Sequence, residues 1–344
     1  MRPPAALAAV LDRTADVRAH RRAPPADLAT RVGSVALPNP VMTASGTSGH
    51  GAELGRYLDL SSLGAVVVKS LSARPWPGNP GPRIYETSAG MLNSVGLQGP
   101  GVEAWLACDL PALVASGARV VASIWGHRVE DYAEAAALLA DAPAEVVAVE
   151  VNLSCPNIDP SAPGGAPGRA RLFASSEAAT NEAMEATAAC GRPRWAKLSV
   201  GAGDLVAVAA AARVGGAEAV TLINTVPAMA IDPATGRRRL GGPGGGLSGP
   251  AIHPVAIRAV HDVTAAVPDL PIVGVGGVAS GEDAAELLLA GAVAVQVGTA
   301  TFADPRAPAA VLAGLRAWAQ RRGVRSLPEV VGAVHRGGRG GDHD

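Results

Sequence analysis

Cysteine, aromatic residues and lysine are all scarce in this 344-residue chain, and each scarcity excludes something. The 3 cysteines are Cys108, Cys155 and Cys190, an odd number without metal-type spacing. They do not suggest the disulfide framework of a small secreted domain, and they are unsuited to holding a cluster of the usual Cys₄ type. No apolar run reaches the roughly 20 residues needed to span a bilayer. The Ala5–Leu11 stretch is short, runs into Asp12 and Arg13, and lacks a signal-peptide pattern. A formal net charge of −1 leaves no strong basic field for nucleic acid. A soluble protein of a reducing cytoplasm is expected. Aromatics are only 3% of a chain that is 48% hydrophobic, so Val, Leu, Ile and Ala must fill the core. Aliphatic packing of that kind suits parallel strands covered by helices.

Lysine is the sharpest deficit. Of 29 basic side chains only Lys69 and Lys197 are lysine, and the rest are arginine. A chain that uses arginine wherever a generic cation will do keeps lysine where a compact ammonium on a flexible stem is needed and a broad planar fork does not fit.

What is abundant is an alternation. Strand-like runs occur at Val41–Ser45, Ala65–Ser70, Arg119–Trp125, Val146–Leu153, Trp195–Val200, Ala219–Asn224, Ile272–Val278 and Ala294–Thr299. Helix-like segments lie between them, among them Val129–Leu139, Ser176–Cys190, Leu205–Val214, Pro254–Ala266 and Glu282–Ala290. Cys108 and Cys190 fall in helical patterns and are read as core. Eight β-then-α units predict a single-domain α/β chain, a closed (β/α)₈ TIM barrel, with a doubly wound sheet as the alternative. The expected division is an N-terminal tail over 1–30, a barrel over 31–322 and a C-terminal tail over 323–344. Arg336–Asp344, rich in Gly and charge, has the composition of a disordered end.

Three connections, Leu71–Gly99, Cys155–Ser175 and Thr225–Gly249, are too long for turns and show no obvious helix or strand. Each follows a strand and so belongs to the C-terminal face, where barrels carry chemistry. Both lysines sit at that face, Lys69 ending VVVKS and Lys197 in WAKLS. IVGVGGV over Ile272–Val278 and VQVGT over Val295–Thr299 follow the seventh and eighth strands. Gly276, Gly277 and Gly298 there let backbone N–H groups approach a phosphate, although tight turns would also use them. Asn152-Leu153-Ser154-Cys155-Pro156-Asn157 leaves the fourth strand and sets two amides about a thiol. The amides suit an amide-bearing ring, and the thiol can serve as a base when its thiolate is stabilised.

Read in order, ASGT, VVVKS, PGNPGPRI, GMLNSVGL, VNLSCPN, AKLS, LINT, GGLSGPAIHP, GVGG and QVGTA run from about Asn39 to Pro305. The chain resembles the class 1 dihydroorotate dehydrogenases, and the Pro77–Leu97 and AMAIDP-to-GGLSGP stretches resemble the 1B catalytic subunit most. The resemblance implies FMN-dependent oxidation of dihydroorotate to orotate in pyrimidine biosynthesis. Cys155 would take the C5 proton and a hydride would pass from C6 to FMN. Lys69 would lie between substrate carboxylate and flavin, with a part in catalysis. Asn93, Ser94, Val95, Gly96, Leu97, Asn152, Asn157, Asn224 and Thr225 would hold the pyrimidine. Lys197 would face the flavin N1/O2 edge, where negative charge grows on reduction. Ala44, Ser45, Lys69, Ser70, Asn152, Ile223, Gly249, Gly276, Gly277, Gly298 and Thr299 would line the FMN. Ser123, in VASIWG, stands where the family often has Asn and would keep one hydrogen bond. No metal is implied. Trp125 reads equally as a wall of the mouth or as core.

Other readings stay open on sequence alone: a related FMN oxidoreductase acting on another dihydropyrimidine, a non-catalytic flavin-binding subunit, and a phosphate-binding barrel isomerase. In the 1B subclass electrons pass to NAD through a separate subunit carrying FAD and an iron–sulfur cluster. This chain shows no Rossmann fingerprint of its own, so NAD as acceptor requires that partner. Fumarate is the 1A alternative. A homodimeric core is also implied.

Overall fold

Eight parallel strands of two to seven residues form one sheet whose spatial order is first, eighth, seventh, sixth, fifth, fourth, third, second. A parallel bridge between Met42 and Ala65 joins the first strand to the start of the second and completes the ring. The computed structural model describes residues 26–153, 173–201, 203–242 and 244–337. The fold is the expected single-domain (β/α)₈ barrel.

The strands are Val41–Thr43, Val66–Val67, Val120–Ile124, Val146–Asn152, Arg194–Leu198, Ala219–Leu222, Ile272–Val275 and Ala294–Val297. Each lies within its predicted run or within one residue of it, and each stops short of the predicted C-terminal end. In five of the eight runs, the first, second, sixth, seventh and eighth, the last residues leave the ladder to face a cavity, and at Gly276 and Gly277 the backbone turns to φ values of 137° and 72°. An L side chain rarely adopts those angles.

The five predicted helices appear as Val129–Leu138, Glu177–Ala186, Leu205–Val214, His253–Ala266 and Gly281–Ala290. Their starts are written in the sequence. Ser280 accepts a hydrogen bond from Asp283 N at 3.1 Å while the Asp283 carboxylate accepts from Ser280 N at 2.8 Å, a capping box. Asp204 likewise accepts from Val206 N at 3.0 Å. Val102–Cys108, Leu110–Ala115 and Ala307–Arg321 are further helices. Cys108 closes the first of these and is exposed, contrary to the core reading; Cys190 is buried as expected.

Side chains inside the barrel follow the period-two rule of strands. Val121, Ala148, Trp195, Ala219 and Ala294 make an apolar lower layer, with Met42 and Val273. Val32, Val35 and Leu37, from the hairpin of Thr30–Val32 and Val35–Leu37, plug it from below. Burying a valine, leucine or methionine side chain here contributes roughly 1.5–3 kcal/mol, and an alanine less. Two residues further along five of these strands stand Ser123, Glu150, Lys197, Thr221 and Gln296, all buried and all polar. The interior therefore changes from apolar to polar on the way to the mouth.

The long connections after the second and sixth strands are not structureless. They pair across the mouth as a four-stranded antiparallel sheet of Val226–Ala228, Gly245–Ser248, Gly90–Asn93 and Ile84–Thr87. Ordered packing also reaches past the 31–322 span. Asp27 bridges to Ser326, and Leu28, Leu327 and Val330 are buried. Arg336 ends the helix Ala333–Arg336 and donates to the Val331 and Glu329 carbonyls, so it belongs to the packed structure and not to a disordered end. No helix among the described residues is long and apolar enough to cross a membrane.

Candidate active site at the barrel mouth

The C-terminal ends of the strands and the antiparallel sheet enclose a cavity of about 1020 Å³, counted out to its open mouth. Its charge is one-sided. Lys69 and Lys197 line it, and no described lining residue is acidic. A site built this way favours an anionic ligand.

One wall comes from the second, fourth and sixth strands. The Lys69 ammonium donates to the Gln98 carbonyl at 2.8 Å, which ties the strand end to the loop opposite. Ser70 accepts from the Asn152 amide at 3.1 Å, and Tyr132 OH donates to the Asn152 carbonyl at 2.8 Å. Asn224 donates to the Asn152 side-chain oxygen at 3.4 Å, and its own oxygen accepts from Thr225 N at 2.8 Å. Two amides are thus held edge to edge, ready to pair with a ring that offers both donors and acceptors.

The facing wall is the loop carrying Asn93, Val95, Gly96 and Leu97. The Asn93 amide donates to the Gly246 carbonyl at 3.3 Å, across the antiparallel sheet. Leu97 holds φ at 60°, which costs a non-glycine residue about 1–2 kcal/mol. Strain of this kind persists where surrounding contacts over-determine it, commonly beside a ligand.

The floor carries the second lysine. Lys197 is 3% exposed, donates to Ser45 Oγ at 2.8 Å, and lies 3.7 Å from the Glu150 carboxylate. Ala44, Ser45, Ser70 and Ile223 complete the expected lining here.

The far end is the glycine cradle of Gly249, Gly276, Gly277, Gly298 and Thr299. A Cβ on Gly277 would come within 2.6 Å of His253 Cβ and 2.9 Å of the Gly249 carbonyl. The loop therefore lies directly on the start of the His253–Ala266 helix, bare backbone toward the cavity. Such a cradle fits a phosphate, and the polar floor with its buried ammonium fits a ring that gains negative charge. The residues present suit FMN.

Ser94 and Ser123 do not line the cavity. Ser94 is fully buried and accepts from the Asn79 amide at 3.2 Å. Ser123 lies one layer down, 2.9 Å from Ser70 Oγ and 3.3 Å from Glu150 Oε1. Both stand behind the lining and not in it. Cys155 and Asn157, the remaining predicted site residues, lie outside the described residues. Trp125 is core, 1% exposed, with its ring edge-on to Trp76 and His127. Gly46, Thr47, Met91, Ser248, Ile252 and Phe302 also line the cavity and were not foreseen. Glu150 and Gln296 beneath it were missed as well. Their signal was legible: a lone carboxylate in VVAVEVNLS and a lone amide in VQVGT.

Two histidines near the mouth are held below their usual pKa. For His50 burial is the main cause, with the Lys69 charge adding to it; for His127 it is burial first.

The family model described as dihydroorotate dehydrogenase matches residues 27–318. The catalytic subunit of dihydroorotate dehydrogenase B (NAD(+)) from Alkaliphilus metalliredigens is 44% identical over 309 residues, covering 90% of this chain and 99% of that protein. The protein of the same name from Desulforudis audaxviator is 47% identical over 310 residues, covering 90% and 98%. A putative dihydroorotate dehydrogenase A (fumarate) from Solibacter usitatus is 45% identical over 307 residues, covering 89% and 98%.

Proposed function

The chain belongs to the dihydroorotate dehydrogenase family, FMN-dependent enzymes that oxidise dihydroorotate to orotate in pyrimidine biosynthesis, and from that premise we propose how its residues divide the work. The observation that carries the proposal is the cavity with two lysines, two paired asparagines and a glycine cradle, and no acidic side chain among its described lining residues.

Gly249, Gly276, Gly277, Gly298 and Thr299 hold the FMN phosphate, while Ala44, Ser45, Ser70 and Ile223 bound its ring system. Bound FMN supplies a two-electron acceptor for a hydride. Lys69, anchored on the Gln98 carbonyl, offers its ammonium to the substrate carboxylate. Asn93, Asn152, Asn224 and Thr225 fix the pyrimidine, which sets both reacting carbons in one orientation. The Cys155 thiolate removes the C5 proton as the hydride leaves C6, so the new double bond forms between C5 and C6. Lys197 presents positive charge where negative charge grows.

The names of the relatives support a separate electron-transfer subunit that passes electrons to NAD, and one of them supports fumarate instead. We assign the NAD route through such a partner, and a cytoplasmic location for a homodimeric core.

Anaerobic addition of dihydroorotate to the purified yellow protein tests the reading. Bleaching of the flavin is expected. A colourless protein that takes up no FMN sinks the flavoenzyme reading, and a yellow protein that dihydroorotate leaves unbleached sinks the substrate. Turnover with NAD only when the partner subunit is added supports the acceptor; direct turnover with fumarate overturns it.

A further inference from the structure

We propose that Glu150 is a positioning residue for Lys197, setting the net charge that the cavity floor presents to the flavin. The inference rests on the reading that this cavity holds FMN. Glu150 is fully buried inside the barrel, on the fourth strand, two residues before Asn152. A carboxylate there loses its hydration, which is costly unless partners replace the water. The barrel supplies them from four different strands. Gln296 donates to Oε2 at 2.7 Å and Thr221 donates to the same oxygen at 3.2 Å. Ser123 donates to Oε1 at 3.3 Å, and the Lys197 ammonium lies 3.7 Å from Oε1.

The arrangement is asymmetric in a telling way. Three neutral donors hold the carboxylate, so Lys197 is not needed as its sole support. The ammonium is left spanning between Glu150 below and Ser45 Oγ, 2.8 Å away on the cavity wall. A structural pair would have no reason to stand at the floor of the cavity with one member lining it. Two effects follow. The carboxylate holds the flexible lysine stem in one place, and it offsets part of the positive charge felt above. Without it, a flavin that gains negative charge on reduction would be held more tightly in the reduced form.

The test is the two-electron midpoint potential of bound FMN in wild type, Glu150→Gln, Glu150→Asp and Thr221→Val. In Glu150→Gln the preference for reduced over oxidised FMN is expected to rise at least tenfold, a positive shift of about 30 mV. Glu150→Asp keeps the charge in the core and serves if the amide variant does not fold. It draws the carboxylate back by one methylene and is expected to show a smaller shift in the same direction. Thr221→Val removes a hydrogen bond from the same carboxylate while leaving its charge, and is expected to lower thermal stability without moving the potential. An unmoved potential in the glutamate variants that fold and hold FMN overturns the inference. So does an equal shift in Thr221→Val, which would make the network merely structural. Wild-type protein that binds no FMN would instead overturn the reading of the site.

Discussion

The imidazole of His253 lies with Nδ1 2.7 Å from the carbonyl oxygen of Gly276, and with Nε2 3.0 Å from the Glu286 carboxylate. One buried side chain thus ties the cradle loop to two helices, His253–Ala266 through its own backbone and Gly281–Ala290 through Glu286. Removing it leaves a carbonyl without its partner at a site where a donor cannot be replaced freely, a loss of about 1–3 kcal/mol. His253→Ala is expected to weaken FMN binding about tenfold in a fluorescence titration of the apoprotein. Wild-type affinity would show that the cradle is held by its backbone alone.

Two cradle glycines are expected to fail differently. A Cβ at Gly277 meets His253 Cβ at 2.6 Å, at a φ of 72°, so Gly277→Ala should lower the melting temperature of the apoprotein itself. A Cβ at Gly298 meets nothing nearer than Ala44 Cβ at 3.5 Å, ordinary contact, so Gly298→Ala should leave that temperature near wild type. The same methyl stands where FMN is to approach, and the variant should bind FMN at least several-fold more weakly. Equal behaviour of the two variants would contradict the assignment of this loop to the phosphate.

His127 gives a pH dependence whose sign can be worked out. Burial holds its folded-state pKa below the ordinary 6.5. Between those two values the unfolded chain binds more protons than the folded one, so stability falls as pH drops below 6.5 and is fully present above it. His50, also lowered, acts in the same direction. His127 packs edge-on against Trp76 and Trp125, with ring centroids 4.9 Å away in both cases. Replacement by Phe keeps a ring there and removes the titration. Melting curves from pH 7.5 to 5.5 should fall less steeply for His127→Phe than for wild type. Parallel curves would assign the acid sensitivity to other groups.

The sequence was informative wherever one residue type answers one local demand. Apolar runs of strand length located all eight barrel strands, and two lysines in a chain otherwise committed to arginine marked two lining positions. What escaped notice depends on distant pairing. The strand Gly90–Asn93 is made a strand by Gly245–Ser248, where Asn93 stands opposite Gly246. Neither segment has a β-branched pattern of its own, and Gly246 and Gly245 read as loop. Glu150 was legible as an oddity but had no assigned role, because its partners come from four other strands. Cys108 was misjudged because a helical pattern says that a residue is on a helix, while its face is decided by packing. Ser94 and Ser123 lie outside the lining: Ser123 faces into the barrel beneath Ser70, and Ser94 turns to Asn79, packing choices that sequence does not show.

The last prediction concerns Cys155, whose role rests on the family resemblance and on the Asn-x-x-Cys-Pro-Asn order of its loop. Loss of a general base costs about 10²–10⁴ in rate. Cys155→Ala should therefore keep FMN and lose turnover by that factor, and activity within a few-fold of wild type would remove Cys155 from the mechanism. The two half-reactions sharpen the test. Bleaching of the flavin by dihydroorotate requires a base for the C5 proton, and a thiol serves only as thiolate. The rate of bleaching should rise with pH through one ionisation, and Cys155→Ser should move or abolish it, because a hydroxyl is a far weaker acid. Reoxidation of the reduced flavin by an artificial acceptor involves no proton at C5 and should lack that ionisation. Stopped-flow bleaching across several pH values isolates the first half-reaction, and mixing reduced enzyme with acceptor isolates the second. A flat bleaching profile, with the pH dependence carried by reoxidation, would assign proton removal to a group other than this thiol.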